Sequence, residues 1–485
     1  MSEPTLLRLR GHISPANREA NPHLMLPFDV PDGVAALEVA YAYTARGSRE
    51  PHAPPDNQID IGILDPEGTP FPSERGFRGW SGTARDSFRV GARDATPGYI
   101  PGPITPGRWH ILLGAYKLIP AGTDYEVTVR LIPGTAAHGE IPSPRMPEDL
   151  ARRAGPAWFR GDLHCHTHHS DGRGSLRNLL ERAEDAGLDF LAVTEHNTIS
   201  HYPELAAYSG PILLIPGQEV TTYKGHLNAW GCDRWLDFRV RTREDMAWVV
   251  QQAHHSGALV SINHPKYDGP DWELGQDLDV DCVEVWQAPW FVSNHESLAF
   301  WERMLNAGRR VVGVGGSDCH IAPTIAEQAL PHLAQPTTWV WAEDLSARGI
   351  LDGIRAGHVH ISSAPDGPRL RFTAQAGGQT AMAGDVLHPT PGEPIVFRVG
   401  AEGGDGLWLR IIANGREAAR WVVQGNDFAA EWRTQADGNA WYRLDLLNPL
   451  EPEEESDPSA VLMEAMTNPI YTYVDLQGLL HPPPP

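Results

Sequence analysis

The central third of this chain alternates between short apolar runs and amphipathic helices, and this alternation constrains the fold more than any other feature. Apolar runs at residues 190–194, 212–215, 258–262 and 311–314 are typical of buried strands. Helical patterns separate them. Repeated strand–helix units predict a parallel sheet, either open or closed into a barrel.

Capping residues place the helices between these strands. Ser175 and Thr242 are suitable N-caps, and Ser293 with Glu296 has the spacing of a capping box. The positions predicted to face the core are Leu176, Leu179, Leu180 and Ala183 in the first helix and Met246, Val249, Val250 and Ala253 in the second.

The flanking segments have a different texture, with short alternating runs between Pro, Gly and Asp turns, and they predict β-rich, sandwich-like domains. Two aromatic and glycine-rich loops in the first segment, at 78–82 and 96–102, have two interpretations: they line a ligand groove, or they form tight turns with buried aromatic plugs. The predicted domains are an N-terminal β domain at 1–135, a linker at 136–157, an α/β domain at 158–364, and a C-terminal β-rich domain with an acidic loop and a Pro-rich tail at 365–485.

Charge and cysteine content exclude several classes of function. A formal net charge of −23 argues against binding to a nucleic acid backbone, which needs clustered Lys and Arg. The first residues show no signal-peptide pattern, and no apolar run is long enough to cross a membrane, so no membrane partner is expected. Four cysteines do not suggest a disulfide framework, which favours a cytoplasmic location.

The stretch 162–172 carries a potential metal chelate. His164 and His166 are two residues apart, so on a strand both imidazoles point to the same side. Cys165, between them, is expected to point away. Asp171 follows in a Ser-Asp-Gly turn, close enough to bend back towards the same metal ions.

Other potential ligands follow the predicted strands one by one. Functional groups in βα folds gather where strands end, because all those ends open onto one face. Taken singly, each of these residues can be an ordinary turn or core residue. Nine such residues would then have to fall at strand ends by coincidence, which argues against that interpretation. Nine nitrogen and oxygen ligands without thiolates suit two or three divalent ions of Mn, Fe or Zn. The nine are His164, His166, Asp171, His196, Glu219, His226, His264, Asp318 and His320.

These motifs, in their order, resemble the PHP (polymerase and histidinol phosphatase) domain over about 158–364. The matching motifs are Asp-Leu-His-Cys-His-Thr from 162, Thr-Glu-His-Asn from 194, Pro-Gly-Gln-Glu from 216, Asn-His-Pro from 263 and Ser-Asp-Cys-His from 317. The flanking β segments look like those of CehA/McbA-type metallohydrolases. The resemblance implies an α/β fold with a PHP-type distorted (β/α)7 barrel, flanked by N-terminal and C-terminal β-rich domains.

The resemblance also implies a trinuclear site. Glu219 would bridge two ions, with His164, His166 and Asp318 completing the shell of the first. His226 and His264 would complete the second. The third would be held by Asp171, His196 and His320.

Residues beyond the candidate ligands have alternative interpretations. His201 and Lys266 are candidates for a leaving-group acid or a phosphate contact, but residues at such positions are more often ordinary loop residues. Tyr267, Trp286 and Trp290 either form an aromatic wall for the substrate or pack at the barrel rim.

The leading functional hypothesis is hydrolysis of small phosphate esters by a metal-activated hydroxide. The alternative is a carbamate, aryl ester or amide hydrolase. A third hypothesis is a non-catalytic ligand-binding protein that uses its β domains. The expected partner is a small-molecule substrate, and nothing in the sequence excludes a homo-oligomer.

Overall fold

The computed structural model describes residues 3–47, 56–68, 70–134, 146–267, 271–451 and 457–474. Within these ranges the protein is a mixed α/β structure rich in β-sheet, with six α-helices. None of the described helices is long and apolar enough to cross a lipid bilayer. The predicted Pro-rich tail, most of the acidic loop and residues 136–145 of the predicted linker lie outside the described residues.

The N-terminal part contains two four-stranded antiparallel sheets with one shared hydrophobic core. The sheet orders are β1-β8-β3-β6 and β2-β7-β4-β5, and apolar side chains of both sheets, including Ile61 and Val129, fill the space between them. The elements are β1 (Thr5–Ile13), α1 (Pro15–Ala20), β2 (His23–Val30), β3 (Val34–Tyr43), β4 (Gln58–Leu64), β5 (Phe77–Gly82), β6 (Ser87–Gly91), β7 (Gly107–Lys117) and β8 (Thr123–Pro133).

The central part alternates strands with helices. The helices predicted from Ser175 and Thr242 are present, and their buried residues are those predicted from spacing. The elements are β9 (Ala154–His166), α2 (Leu176–Asp185), β10 (Phe190–His196), α3 (Tyr202–Ala207), β11 (Leu213–Thr222), β12 (Gly225–Trp230), α4 (Arg243–His255), β13 (Leu259–Ile262), β14 (Cys282–Gln287), α5 (Asn294–Asn306), β15 (Val312–Gly316), β16 (Cys319–His320), β17 (Thr337–Asp344), α6 (Ala347–Arg355) and β18 (Val359–Ser362).

One predicted cap is wrong. Ser293 precedes α5 in a left-handed conformation with φ of 48° and makes no side-chain cap to the helix. The Glu296 side chain instead accepts a hydrogen bond from the backbone N–H of Tyr267, at 2.8 Å. A local spacing pattern cannot reveal this longer-range acceptor role.

The central strands form a ring. Strands β9 to β15 are neighbours in chain order, and β16 returns to pair with β9, bringing Cys319 beside Cys165. Strand β12 runs antiparallel to both neighbours because a tight hairpin links it to β11. This hairpin, and the presence of only six helices in the described ranges, mean that a complete (β/α)7 barrel is not confirmed.

Some strands of the C-terminal part continue the same sheet. Strand β18 pairs with β27 (Met463–Thr467), and β27 with β26 (Ala440–Leu447), so hydrogen bonds run from the ring into the C-terminal part. A separate four-stranded antiparallel sheet is formed by Arg369–Ala376, Gln379–Met382, Pro394–Glu402 and Asp427–Gln435. The Asn468 side-chain amide accepts a hydrogen bond from the N–H of Gly313 on β15 at 2.8 Å and donates one to the Gly313 carbonyl at 2.7 Å. The elements are β19 (Arg369–Ala376), β20 (Gln379–Met382), β21 (Val386–Leu387), β22 (Pro394–Glu402), β23 (Trp408–Ala413), β24 (Arg416–Val422), β25 (Asp427–Gln435), β26 (Ala440–Leu447), β27 (Met463–Thr467) and β28 (Ile470–Thr472).

The N-terminal sheets pack directly on the central part. Phe77 of β5 stacks on Trp235 with ring centroids 4.4 Å apart. Gly98, at φ of 96°, donates to Ser200 Oγ and accepts from Thr198 Oγ1. A Cβ at Gly98 would come within 2.8 Å of the His169 carbonyl oxygen, so this close approach requires glycine.

Candidate metal centre

The site begins at the end of β9, where the strand alternation sorts the side chains. His164 and His166 lie on one face with ring centroids 5.1 Å apart. The Cys165 thiol points away, towards the carbonyl of Ala192 on β10. The buried carboxylate of Asp162 accepts hydrogen bonds from His164 N–H and from Ser317 N–H, at 3.1 and 3.0 Å. Asp162 therefore ties the end of β9 to the loop that carries Asp318.

Glu219 lies at the centre of the site, fully buried, three residues before the end of β11. Asn263 Nδ2 donates to its Oε1 at 2.9 Å and orients the carboxylate. Five imidazole nitrogens surround the two oxygens: His196 Nδ1 at 2.6 Å, His226 Nδ1 at 3.1 Å, His164 Nε2 and His264 Nε2 at 3.5 Å, and His166 Nε2 at 3.6 Å.

Asp318 supplies a second carboxylate beside the same histidines. Its Oδ1 lies 3.0 Å from His166 Nε2 and 3.3 Å from His164 Nε2. Its Oδ2 accepts from Gln287 Nε2 at 3.0 Å, and its backbone adopts a φ of 54°. The N–H of Asp318 also donates to the His164 carbonyl at 2.8 Å, so β9 fixes where this carboxylate lies.

Asp171 forms a third group at the more open side of the site. Its Oδ1 lies 3.1 Å from His320 Nε2 and 3.4 Å from His196 Nε2. The loop carrying Asp171 is anchored by the buried Glu195, whose Oε2 accepts from the Ser170 hydroxyl. Arg85 of the N-terminal part donates to the Ser170 carbonyl at 3.0 Å. Two parts of the chain thus hold this loop.

The protonation states follow from burial and from mutual contact. Burial opposes ionisation of Glu219 and Asp318, but the facing imidazoles outweigh it and hold both pKa values well below the usual range. Burial, reinforced by His196 and His320, lowers the pKa of His166 to about 3. Burial also opposes the charged form of His196, yet Asp171 and Glu219 raise its pKa to about 9. The facing imidazoles therefore hold Glu219 and Asp318 in the charged form.

The chemistry of these donors fits divalent metal ions. Several of their buried atoms have no partner in hydrogen-bond geometry within the described residues, among them His164 Nε2, His166 Nε2, Asp171 Oδ1, Glu219 Oε2 and Asp318 Oδ1. Unpaired buried polar atoms are costly, and a shared cation would satisfy them together. Three ligand groups result: His166, Asp171, His196 and His320; His164, His166 and Asp318; His164, Glu219 and His264.

All nine residues predicted as metal ligands meet at this centre, although their roles as ligands stay a prediction. The two predicted acid candidates have other surroundings. His201 is buried with Nε2 3.2 Å from the Val193 carbonyl, and burial lowers its pKa well below the usual value. The Lys266 ammonium donates to Val292 O at 2.6 Å and Asn294 Oδ1 at 3.1 Å, which fixes the segment before α5.

The predicted aromatic wall also differs from the structure. Trp286 and Trp290 pack edge to face, 4.8 Å apart, within the buried core, and Tyr267 is 79% exposed. None of the three lines the cavity beside the metal centre, since packing took the two tryptophans inward.

The cavity beside the metal centre is built largely by other elements. It has a volume of about 200 Å³ and opens onto Asp171, His196 and His226. We call it the aromatic cavity, and its other defining residues are Asp60, Trp80, Tyr116, Tyr223 and Phe238. Residues 78–82 were predicted as a loop but form most of strand β5, because they pair with β4; residues 81 and 82 line the cavity, and Trp80 is buried beside it.

Sequence reasoning also missed Glu284, which lies behind the ligands on β14. Its Oε1 is 2.9 Å from His164 Nδ1, and its Oε2 accepts from the backbone N–H of His264 at 3.0 Å. One carboxylate thus orients two candidate ligands. The available signal was an acidic residue within an apolar strand, at residues 281–286.

A smaller group next to the centre has a simpler explanation. His168, His169 and Glu204 lie close enough to share an ion. However, His169 Nε2 lies 3.0 Å from Glu204 Oε1, and its Nδ1 is bonded to Ser200 Oγ at 2.9 Å. The hydrogen bond to Ser200 and the nearby Glu204 carboxylate hold the His169 ring beside the loop that carries Asp171, although His169 Nε2 makes no hydrogen bond within the described residues.

A sequence model of the PHP domain family matches residues 162–268. The chain contains a PHP domain. The matched span includes seven of the nine candidate ligands, and the remaining two, Asp318 and His320, follow it in the same ring of strands.

Two curated relatives match parts of the chain that carries this PHP domain. An uncharacterized protein of Methanocaldococcus jannaschii is 27% identical over 146 residues, covering 27% of this chain and 82% of the relative. A 5′-3′ exoribonuclease of Haemophilus influenzae is 43% identical over 63 residues, covering 13% of this chain and 23% of the relative. The activity of a whole relative therefore does not transfer directly.

Among solved structures, one similar protein is a two-domain protein from Bacteroides vulgatus containing a predicted PHP-like metal-dependent phosphoesterase. It is 18% identical with a TM-score of 0.36, and the match covers 67% of this chain and 99% of that one. An amidohydrolase from Chromobacterium violaceum matches with 14% identity and a TM-score of 0.23, over 33% of this chain and 87% of that one.

Proposed function

We propose that this chain is a metal-dependent hydrolase that cleaves small phosphate esters at the candidate metal centre. The observation that carries the proposal is the convergence of unpaired, buried imidazole and carboxylate atoms around Glu219 and Asp318. Such a group is costly to maintain unless cations occupy it.

The ligand roles follow the three groups of donors. Glu219 would help to hold two of the ions, and the centre would hold two or three ions of Mn, Fe or Zn in total. When bound, such ions would supply an activated water at neutral pH and polarise the substrate oxygen. The groups are His164, His166 and Asp318 for the first ion, His226 and His264 for the second, and Asp171, His196 and His320 for the third.

The side chains behind the ligands keep this set in place. Glu284 holds the His164 ring with Nε2 turned towards Glu219, Asn263 fixes the Glu219 carboxylate, and Gln287 fixes Asp318. Such fixed orientations lower the reorganisation needed when charge develops during hydrolysis.

A phosphate ester suits three neighbouring cation sites because it presents several anionic oxygens. Nearby arginines are already engaged: Arg85 donates to the Ser170 carbonyl, Arg46 pairs with Asp86, and Arg173 lies by Glu327. The phosphate charge would therefore be neutralised by cations rather than by an arginine clamp.

The second candidate function is hydrolysis of carbamates or aryl esters, as in CehA/McbA-type enzymes. The observation that favours it is the aromatic cavity, because no Lys or Arg is among the described residues that line it. A neutral substrate needs no further positive charge there.

We test the proposal with protein purified without chelator and supplied with Mn²⁺. The substrates are para-nitrophenyl phosphate, bis-para-nitrophenyl phosphate and 1-naphthyl N-methylcarbamate. Hydrolysis of a phosphate ester supports the proposal, and hydrolysis of the carbamate alone would replace it with the second function. Elemental analysis should find at least two metal equivalents per chain, and fewer would contradict a multinuclear centre.

Matched histidine variants separate the centre from general effects. His164→Asn should reduce phosphate hydrolysis and bound metal together, whereas His12→Asn, at an exposed His paired with Asp124 on β8, should change neither. Absence of hydrolysis with every metal, together with ligand binding that survives His164→Asn, would instead favour a non-catalytic binding protein.

The cysteines bear on location. All four are free and buried. Free thiols persist in reducing compartments, and on that basis we propose a cytoplasmic location.

A further inference from the structure

The N-terminal sheets contribute one wall of the aromatic cavity. Asp60 on β4 and Trp80 on β5 face Tyr223, which lies in the hairpin between β11 and β12, and Phe238. Trp80 and Phe238 are 4.6 Å apart between ring centroids. The cavity thus joins two parts of the chain and opens onto the metal centre through His196 and its neighbours.

The walls favour a flat, uncharged group. Aromatic rings offer large apolar faces, and planar ligands stack on them with offset or edge geometries. Tyr116 is 42% exposed and stands at 5.5 Å from the Tyr223 ring, which places it at the mouth of the cavity. The volume of the cavity, about 200 Å³, suits a single ring rather than a large ligand.

Asp60 is the one acid among the described lining residues that is not a candidate metal ligand. Its Oδ2 accepts a hydrogen bond from Tyr223 Oη at 2.6 Å. No described residue donates to Oδ1, so this oxygen is available to a ligand. Burial raises the pKa of Asp60 to about 7, although the Tyr223 hydrogen bond and the nearby His196 lower it.

Gly114 provides the space that the Asp60–Tyr223 pair occupies. Gly114 on β7 lies directly beneath it, and a Cβ there would overlap the Tyr223 hydroxyl and come within 2.9 Å of Trp80 Cη2. Tyr223 also stacks on His23 of β2 at 5.3 Å. The Tyr223 ring is therefore fixed from two sides, and Asp60 is held with it.

We propose that the aromatic cavity binds the organic group of the substrate, and that Asp60 selects an aryl group carrying a hydrogen-bond donor over one carrying an anion. The proposal names the substrate class of the proposed function and rests on it for the reaction. The binding preference itself does not depend on which bond is cleaved.

The first experiment measures binding without catalysis. The probes are 3-aminophenol, which carries donors, 1,3-dimethoxybenzene, which carries none, and 3-hydroxybenzoate, which carries an anion. Affinities come from ligand-observed NMR and from quenching of tryptophan fluorescence. At a pH well above 7, where Asp60 is ionised, we expect 3-aminophenol to bind roughly tenfold more tightly than the other two, the difference expected for one hydrogen bond to a charged acceptor. Equal binding of all three overturns the proposal.

Variants then assign the preference to Asp60. Asp60→Asn should abolish the tenfold preference and admit 3-hydroxybenzoate, and Asp60→Ser tests the same point if the first variant does not fold. Asp29→Asn is the matched control, since Asp29 lies in the same sheets with its side chain 75% exposed and paired with Arg108. A preference unchanged in the Asp60 variants, or lost equally in the control, overturns the proposal.

The second experiment separates this inference from the proposed function. With Mn²⁺ present, kcat/KM is compared for 3-aminophenyl phosphate and 3-carboxyphenyl phosphate. If neither is hydrolysed but the binding preference is found, the phosphoesterase proposal fails and the selecting role of Asp60 stands. If both are hydrolysed at equal kcat/KM by the unaltered protein, Asp60 does not select and the inference fails.

Discussion

Substitution of Glu284 by Gln should weaken metal binding although Glu284 is not itself a candidate ligand. The carboxylate accepts two hydrogen bonds, from His164 Nδ1 at 2.9 Å and from the His264 N–H at 3.0 Å. Gln has the same shape but offers only one acceptor, so its amide NH2 must face one of these two N–H donors. Where it faces His164, that ring loses the partner that holds Nε2 towards the metal centre.

The magnitude follows from those two contacts. A hydrogen bond to a charged group contributes about 1.5–3 kcal/mol, and one such bond is lost. Since 1.4 kcal/mol corresponds to a factor of ten, the dissociation constant should rise roughly 10- to 100-fold, which is also the range for loss of a group that orients a metal ligand. The expected change falls on affinity and not on the number of sites.

The assay is a competition titration of metal-free protein with Mn²⁺ or Zn²⁺ against a chromophoric chelator. Glu464→Gln is the matched control, because that carboxylate also accepts two side-chain hydrogen bonds, from Ser363 and Asn448, on a C-terminal strand. An affinity for the Glu284 variant within threefold of the unaltered protein would refute the reasoning. An equal loss in the control would show a general effect on folding.

Two further predictions concern residues around the site. Lys266→Met removes the buried donor to the carbonyls of Gln287 and Val292 and to Asn294 Oδ1, so it should lower the free energy of unfolding by about 2–4 kcal/mol in urea titrations while KM for phosphate esters changes less than threefold. A raised KM at unchanged stability would restore Lys266 as a phosphate contact. Gly114→Ala should displace Tyr223, cost about 1–3 kcal/mol by overpacking and weaken 3-aminophenol binding, whereas Gly438→Ala, in open space, should do neither; equal effects at both positions would contradict this.

The residues of the metal centre were predictable because each obeys two independent constraints. His196 and Glu219, for example, belong to the few side-chain types that bind divalent ions. Each also follows an apolar run of the sequence. Strand ends in a βα fold share one face, so the pattern along the chain already implies proximity in space. Helix α4 was predictable in the same way, from a local cap and a local spacing.

The direction of β12 was not predictable on that basis. Residues 225–230 follow β11 after two residues, and a short link forces an antiparallel hairpin rather than another βα unit. His226 still reaches Glu219, because the hairpin folds it back across the strand end. A candidate ligand can thus lie beside the others, as the pattern predicts, while the strand that carries it runs in the opposite direction.

The aromatic cavity was beyond sequence reasoning for a different reason. Its defining hydrogen bond joins Asp60 and Tyr223, which are 163 residues apart and belong to different parts of the chain. No local period links two such residues, and each alone reads as an ordinary strand or turn residue. The same holds for Arg85, which reaches the carbonyl of Ser170 from the N-terminal part.

These long-range contacts change how the N-terminal sheets are understood. Arg85, Gly98 and Asp60 each reach a loop that follows a ligand-bearing strand, at Ser170, Ser200 and Tyr223 respectively. Contacts to three successive loops would be an unusual outcome for a module that was merely attached at one end. Because the ring of strands supplies the candidate ligands and the N-terminal sheets contact the loops beside them, both parts build the candidate site. The candidate ligands come from the ring, and the wall of the aromatic cavity comes from both parts.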